Sequence, residues 1–242
     1  MQQKLVGYLL LCLASSVSFG AEVKSSELNE WLDNEFLEYL DFYPQSKKRY
    51  GIDEGYDQLN DASLAHRKKV LAWRRASTKK MQDKFDRATL SQQEKISFDL
   101  WSYLYEREAA AWEYRYHRYI FGRRGPHTSL PRSLIGNHKV TSRQDMLDYI
   151  ERLRSVERYL GQFLDRAQES AKRGIRAPHF DYAIAEQHSR KVVTGAPFTD
   201  TGEAALWTDI NKKLAALVVA EEIDDAEADR LRRQARRALL EQ

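Results

Sequence analysis

Three features of the sequence predict an all-α protein. Apolar residues recur at intervals of three and four from about residue 24 onward, no segment alternates like a strand over a useful length, and Gly and Pro are sparse, at 11 and 5 of 242 residues. A chain with 42% apolar and 31% charged residues is globular rather than disordered, collagenous or membrane-spanning. About seven helices joined by long loops are expected, in one helical domain over 21–242.

The first helix carries Leu28, Trp31, Leu32, Phe36, Tyr39, Leu40 and Tyr43 on one face, with Ser25 or Ser26 to cap it and Pro44 to close it. A turn-rich stretch, Gly51 to Asp57, leads to a second helix from about Asp61 to Asp86, with Val70, Trp73, Met81 and Phe85 inward. Ser91 and Glu94 form a capping box for the third, in which each side chain satisfies a backbone N–H of the first turn. Phe98, Trp101, Tyr105, Ala109, Trp112, Tyr116 and Tyr119 make one stripe on it, and Ile96, Leu100 and Leu104 a neighbouring one. So wide an apolar surface implies a helix packed on two sides.

From Gly122 to Val140 the periodicity breaks, and a loop of 19 residues is expected. One long helix follows to Gly174, capped by Thr141 with Gln144 or by Ser142 with Asp145, with Tyr149, Leu153, Val156, Leu160, Phe163 and Ala167 inward. Pro178 suits the first turn of a helix to about Val193, and Gly195-Ala196-Pro197-Phe198 makes a second loop. Asp200 or Thr201 starts a helix with Leu206, Trp207, Ile210, Leu214 and Leu217 inward. Asp224 with Glu227 starts the last, with Ala228, Leu231, Ala235 and Leu239 inward. That helix runs to Gln242 without a Gly or Asn stop.

Residues 1–20 read as an export signal. Lys4 supplies the positive start, Leu5 to Ala14 the apolar run, and Ser15 to Gly20 a small-residue stretch with cleavage after Gly20, so a periplasmic or secreted location is expected. The run is too short for a membrane span, which takes about 20 apolar residues, and no membrane association is expected once the signal is removed. The single cysteine, Cys12, lies within the signal, so the mature chain would hold neither a disulfide nor a thiolate metal site. Overall charge is +3, and loss of Lys4 leaves 38 basic against 36 acidic side chains, a balance that does not by itself support nucleic-acid binding. The one arginine run, Arg230, Arg232, Arg233, Arg236 and Arg237, falls opposite Leu231, Ala235 and Leu239 and reads as a solvated face. No nucleic-acid partner is expected.

No self-sufficient catalytic motif stands in the chain. Its six histidines, at 66, 117, 127, 138, 179 and 188, include no His-Glu dipeptide and no i,i+4 pair of the kind that puts two imidazoles on one helix face for zinc. No catalytic residue and no metal ligand is assigned, and no cofactor is expected in this chain. There is also no Gly-x-Ser-x-Gly elbow and no phosphate-cradling glycine loop. The candidate substrate-binding residues are His127, Arg132, Tyr116 and Tyr119. His127 follows Gly125-Pro126 beside Arg123, Arg124, Thr128 and Arg132, where donors can converge on an anionic or carbonyl group; the other reading is a loop histidine stacked on a tyrosine or capping the chain. Tyr116 and Tyr119 can present hydroxyls at a cleft edge, whereas Phe98, Trp101 and Trp112 read as core. His138 and Asn137 read as part of a turn.

Several segments, taken in order, resemble the N-terminal part of the bacterial domain-of-unknown-function family number 885. They are Trp31 to Tyr43 with Pro44 and Gly51, Ser97-Phe98-Asp99-Leu100-Trp101, Gly125-Pro126-His127-Thr128-Ser129-Leu130-Pro131, Arg152-Leu153, Gly174-Ile175-Arg176-Ala177-Pro178 and Gly195-Ala196-Pro197-Phe198. The resemblance covers about residues 27–242 and implies part of a larger, helical, often exported zinc peptidase-like fold. In that family the metal-binding segment, a His-Glu followed closely by Pro-Gly-His, belongs to the C-terminal half, which this chain lacks. The resemblance therefore implies zinc for full-length relatives but none here. It leaves the Gly125 to Pro131 and Gly195 to Phe198 loops as walls of a substrate cleft. The implied partners are a C-terminal half of the same fold or a peptide substrate. The chain is then expected to be a truncated or split product, inactive alone, with a stand-alone periplasmic module that binds a peptide or protein partner as the alternative.

Overall fold

A computed structural model of the protein describes residues 26–241, so the signal segment and Cys12 lie outside the described residues. The described residues are all helical in class, with one isolated bridge, Ala196 to Glu203, and no strand. The helices are α1 (Glu27–Asp41), α2 (Pro44–Lys47), α3 (Leu64–Lys84), α4 (Gln92–Ala111), α5 (Pro126–Asn137), α6 (Arg143–Arg154), α7 (Val156–Lys172), α8 (His179–Val192), α9 (Ala205–Val219) and α10 (Asp225–Leu240). None of them is long and apolar enough to cross a membrane.

The main core lies among α5, α6, α9 and α10. Met146, Tyr149, Ile150 and Leu153 of α6, Leu206, Ile210, Leu214 and Leu217 of α9, and Ala228, Leu231, Ala235 and Leu239 of α10 bury the stripes that the helical period lays down. Each such leucine or isoleucine contributes about 1.5–3 kcal/mol of transfer free energy. A smaller core joins α1, α3 and α4 through Leu28, Met81 and Phe98, ringed by Trp31, Phe85 and Trp101. There the Trp101 indole donates to the Ser77 hydroxyl at 3.1 Å. The caps follow the sequence closely: Ser26, the Ser91–Glu94 box, the Ser142–Asp145 box and Asp224 all satisfy first-turn N–H groups.

Four expectations need correction. The segment 122–140 is not a loop throughout, because Pro126 to Asn137 form α5. Pro126 stands at its first position, where a missing N–H costs nothing, and Leu130 and Leu134 are buried, which compensates for Pro131 inside the helix. The single helix expected over 141–174 is two, α6 and α7, with a one-residue interruption at Ser155, across which the Tyr159 N–H still donates to the Ser155 carbonyl at 3.1 Å. The α6 face packs into the main core, Val156, Tyr159 and Leu160 of α7 pack against the same core, and Gln162 of α7 meets the chain at 59–62. The helix expected from Asp200 or Thr201 begins at Ala205, since 196–203 form a turn closed by the Ala196–Glu203 bridge.

Finally, α4 is not packed on two sides. It ends at Ala111, short of Tyr116 and Tyr119, and its partners are α3 and the small core, so Ile96 and Leu100 are 52% and 54% exposed. With α2, α5 and the α6/α7 break, the count rises from seven to ten helices among the described residues.

Candidate functional site

A cleft of about 720 Å³ opens between the N-terminal part of α3, the segment after α4, the start of α5 and α7. Its floor is built by α7. Arg158, Gln162 and Arg166 lie at i, i+4 and i+8, on one helix face. All three bind the backbone of the preceding loop: Arg158 donates to the Leu59 carbonyl at 3.1 Å, the Ala62 N–H donates to Gln162 Oε1 at 2.8 Å, and Arg166 donates to the Ala62 carbonyl at 3.1 Å. Asn60 and Gln45 exchange backbone-to-amide hydrogen bonds at 3.1 and 3.0 Å, which tie the same loop to α2.

Above that floor, Tyr159, Phe163 and Arg166 recur at i, i+4 and i+7 and face the cleft together. The two rings meet edge to face at 5.1 Å, and the Arg166 guanidinium lies 5.2 Å from the Phe163 ring. The opposite wall is the segment following α4, with Tyr114, Arg115, Arg118 and Tyr119. Gly125, Pro126, Thr128 and Ser129 bring the N-terminus of α5 to the rim. Gly125 is required there: a Cβ would stand 2.6 Å from the Ile120 carbonyl oxygen and 2.9 Å from the His127 ring.

The cleft is cationic. Arg67, Arg115, Arg118, Arg124, Arg132 and Arg166 line it against one carboxylate, Asp61. Burial pushes the Arg166 pKa down to about 10, and the positive charges of Arg67 and Arg118 add to the shift. Burial raises the Asp61 carboxyl, but the Ser63 hydroxyl and N–H, with His66 and Arg158, outweigh it and hold the pKa below the usual carboxylate value.

Of the residues singled out by sequence, Arg132 and Tyr119 line this cleft. Tyr116 stands beside it, with the guanidiniums of Arg115 and Arg173 at 4.7 and 4.2 Å from its ring. His127 is not in the lining: it is 7% exposed, packed against Phe121 at 5.7 Å and His188 at 6.4 Å. Neither of its ring nitrogens has a hydrogen-bond partner among the described residues, and burial, then His188, lowers its pKa. The Gly195 to Phe198 segment packs at the main core through Phe198 and is also outside the lining.

Sequence reasoning missed Arg67, Arg115, Arg118 and Arg166. A signal was available in Trp112 to Arg124, where Arg115, Arg118, Arg123 and Arg124 interleave with Tyr114, Tyr116, Tyr119 and Phe121.

A second polar locus lies inside α6. His138, 1% exposed, stacks on Tyr56 at 4.1 Å and donates from Nε2 to the Asp145 carbonyl at 3.0 Å. The Arg152 guanidinium lies 4.9 Å from the other partner of that stack, Tyr56, and Tyr149 donates to Asp209 at 2.9 Å. These contacts fix α6 against the chain at 56.

Zinc does not fit the donors present. Among the described residues no group of three or more His, Cys, Asp or Glu is placed to hold a metal, and the His127–His188 pair has no third ligand. No metal-binding residue is assigned.

The fold and site thus define an all-helical protein with an arginine-lined, aromatic-walled cleft. Residues 44–242 match the family model described as bacterial protein of unknown function (DUF885), and the chain belongs to that family. No curated protein and no solved structure matches it.

Proposed function

We propose that the chain is a peptide-binding helical module, whose cleft forms a wall of the substrate site in the exported, zinc peptidase-like fold that the family resemblance implies. The observation that carries this reading is the cleft itself. Its volume, about 720 Å³, lies in the range of small-ligand sites, which run to about 1,000 Å³, and suits a segment of a few residues. Tyr159, Phe163 and Tyr119 offer apolar faces to side chains, while guanidinium donors suit peptide carbonyls and carboxylates. Peptide binding is assigned to the cleft, and hydrolysis to no residue of this chain.

The test is isothermal titration of the purified chain with mixed short peptides, alongside Phe163→Ala. Saturable binding, weakened about tenfold by loss of the ring, is expected. Absence of binding by any peptide at millimolar concentration overturns the proposal.

A further inference from the structure

Resting on that reading of the cleft, we infer that it selects acidic peptides, with more than one ligand carboxylate held among Arg67, Arg115, Arg118 and Arg166. The inference begins from how the chain places its charge. With 39 basic and 36 acidic side chains the whole is nearly balanced, so six arginines facing a single aspartate is a local arrangement rather than a reflection of composition. None of the six takes part in an ion pair among the described residues. Arginines elsewhere do: Arg74 meets Glu108 at 2.8 Å, Arg87 grips Asp99 through two bonds of 2.6 Å, and Arg143 meets Glu227 at 2.6 Å.

Three of the cleft guanidiniums, those of Arg67, Arg115 and Arg166, lie against neutral groups instead. Arg166 donates to the Ala62 carbonyl and lies against Phe163. Arg115 donates to the Trp112 carbonyl at 2.8 Å and lies 5.2 Å from the Trp112 ring, with Arg67 at 5.9 Å from the same ring. A guanidinium carries five N–H donors, so one carbonyl and one ring face position it while leaving donors for a bidentate carboxylate. Cations crowded in a partly buried cleft repel one another, and a ligand that brings negative charge relieves that repulsion. Burial lowers the Arg166 pKa first, and the charges of Arg67 and Arg118 lower it further. Several guanidiniums call for several carboxylates. A concave site this size takes a peptide segment rather than a nucleic-acid duplex.

Isothermal titration on the full chain separates the sources of negative charge. The probes are a blocked peptide with alternating Glu and Tyr, its Gln isostere with the same blocked ends, the Gln peptide with a free C-terminus, and a short thymidine oligonucleotide. The Glu peptide is expected to bind about tenfold or more tightly than the Gln isostere, and the gap to shrink in 0.5 M salt. Arg118→Ser is expected to weaken the Glu peptide several-fold more than the Gln peptide, and Arg166→Met, which also releases the Ala62 carbonyl, to weaken both peptides and narrow the gap between them. Arg118 is exposed, so its variant tests the charge even if loss of Arg166 unfolds the loop it holds.

Equal affinity for Glu and Gln peptides overturns the acidic selectivity while leaving peptide binding intact. A free C-terminus that accounts for all of the gain also overturns it, in favour of single-carboxylate recognition. If neither peptide binds, or the oligonucleotide binds better than both, the selectivity and the underlying peptide reading fall together.

Discussion

Acidification should destabilise this protein through His138 in a pH range above that of ordinary carboxylates. The Asp145 carbonyl can only accept, so the 3.0 Å bond places the proton on Nε2 and leaves Nδ1 bare. Nδ1 is buried without a partner among the described residues. Tyr56 covers one ring face, Tyr149 meets the ring edge to face at 5.0 Å, and Arg152 and Lys213 are the nearby cations. Protonation would therefore put a charge in a dry site beside two others. Burial, opposed by the Asp145 carbonyl and reinforced by the two cations, pushes the pKa down to about 4 from 6.5.

Because the folded pKa is depressed, the unfolded chain binds the proton more readily between those values. The stability involved is fully present above about pH 6.5 and is lost as pH falls to about 4. A shift of about 2.5 units corresponds to about 3 kcal/mol, with a slope approaching 1.4 kcal/mol per pH unit in mid-range. Urea unfolding of the wild type and of His138→Phe at pH 7.5, 6, 5 and 4.5 measures it. The phenylalanine keeps a ring on Tyr56 but cannot titrate and cannot donate to Asp145. It should be less stable than wild type at pH 7.5, and the two should converge toward pH 4.5. His127, also lowered by burial, contributes the same slope to both proteins and cancels in the difference. Parallel stability curves over this range would refute the reasoning.

Further outcomes follow from the packing. Leu214→Ala, at a site with no exposure, should cost about 2–5 kcal/mol in urea unfolding, whereas Leu100→Ser on the open face of α4 should stay within about 0.5 kcal/mol. Gly195→Ala should lower stability by about 2–4 kcal/mol, since φ there is +93° and a Cβ would stand 2.6 Å from the Glu203 carbonyl carbon; an unchanged melting curve would contradict this. The export reading predicts Ala21 as the first residue of periplasmic or secreted material by mass spectrometry, and intact Met1 in a cytosolic pool would contradict it.

The helices that bury one stripe were legible because a single period carries all the information. In α10, Ala228, Leu231, Ala235 and Leu239 were identified from spacing, and all are buried. The arginines between them face outward, as that spacing requires. Where one pattern serves two partners, spacing alone does not decide. Apolar residues continue through Ser155 without a change of period, so their spacing does not mark the one-residue interruption between α6 and α7, whose residues both reach the main core. Gly125-Pro126 and Pro131 carry breaker residues, and only the burial of Leu130 and Leu134 shows that a helix wins. The cleft was half legible. Arg132 and Tyr119 were visible because they flank a conspicuous Gly-Pro segment, but Arg67 and Arg166 lie 99 positions apart and meet only after α3 and α7 come together. His127 drew attention by its neighbours in sequence, while its ring turns inward toward α8.

One helix supplies the floor of the cleft and one of its six arginines. On α7 the set 158, 162 and 166 holds the loop at 59–62, and the set 159, 163 and 166 faces the ligand space, so Arg166 belongs to both. The remaining cations can stay uncommitted because acids are engaged elsewhere. Asp41 and Glu54 neutralise the buried Lys47, Asp99 holds Arg87, and Glu227 takes both Arg143 and Arg230. A charge-balanced chain thereby concentrates positive potential in one concavity without extreme composition. Because Gln162 shapes the floor without carrying charge, uncharged replacements at 162 alter the cleft's geometry alone, whereas those at 166 alter geometry and field together.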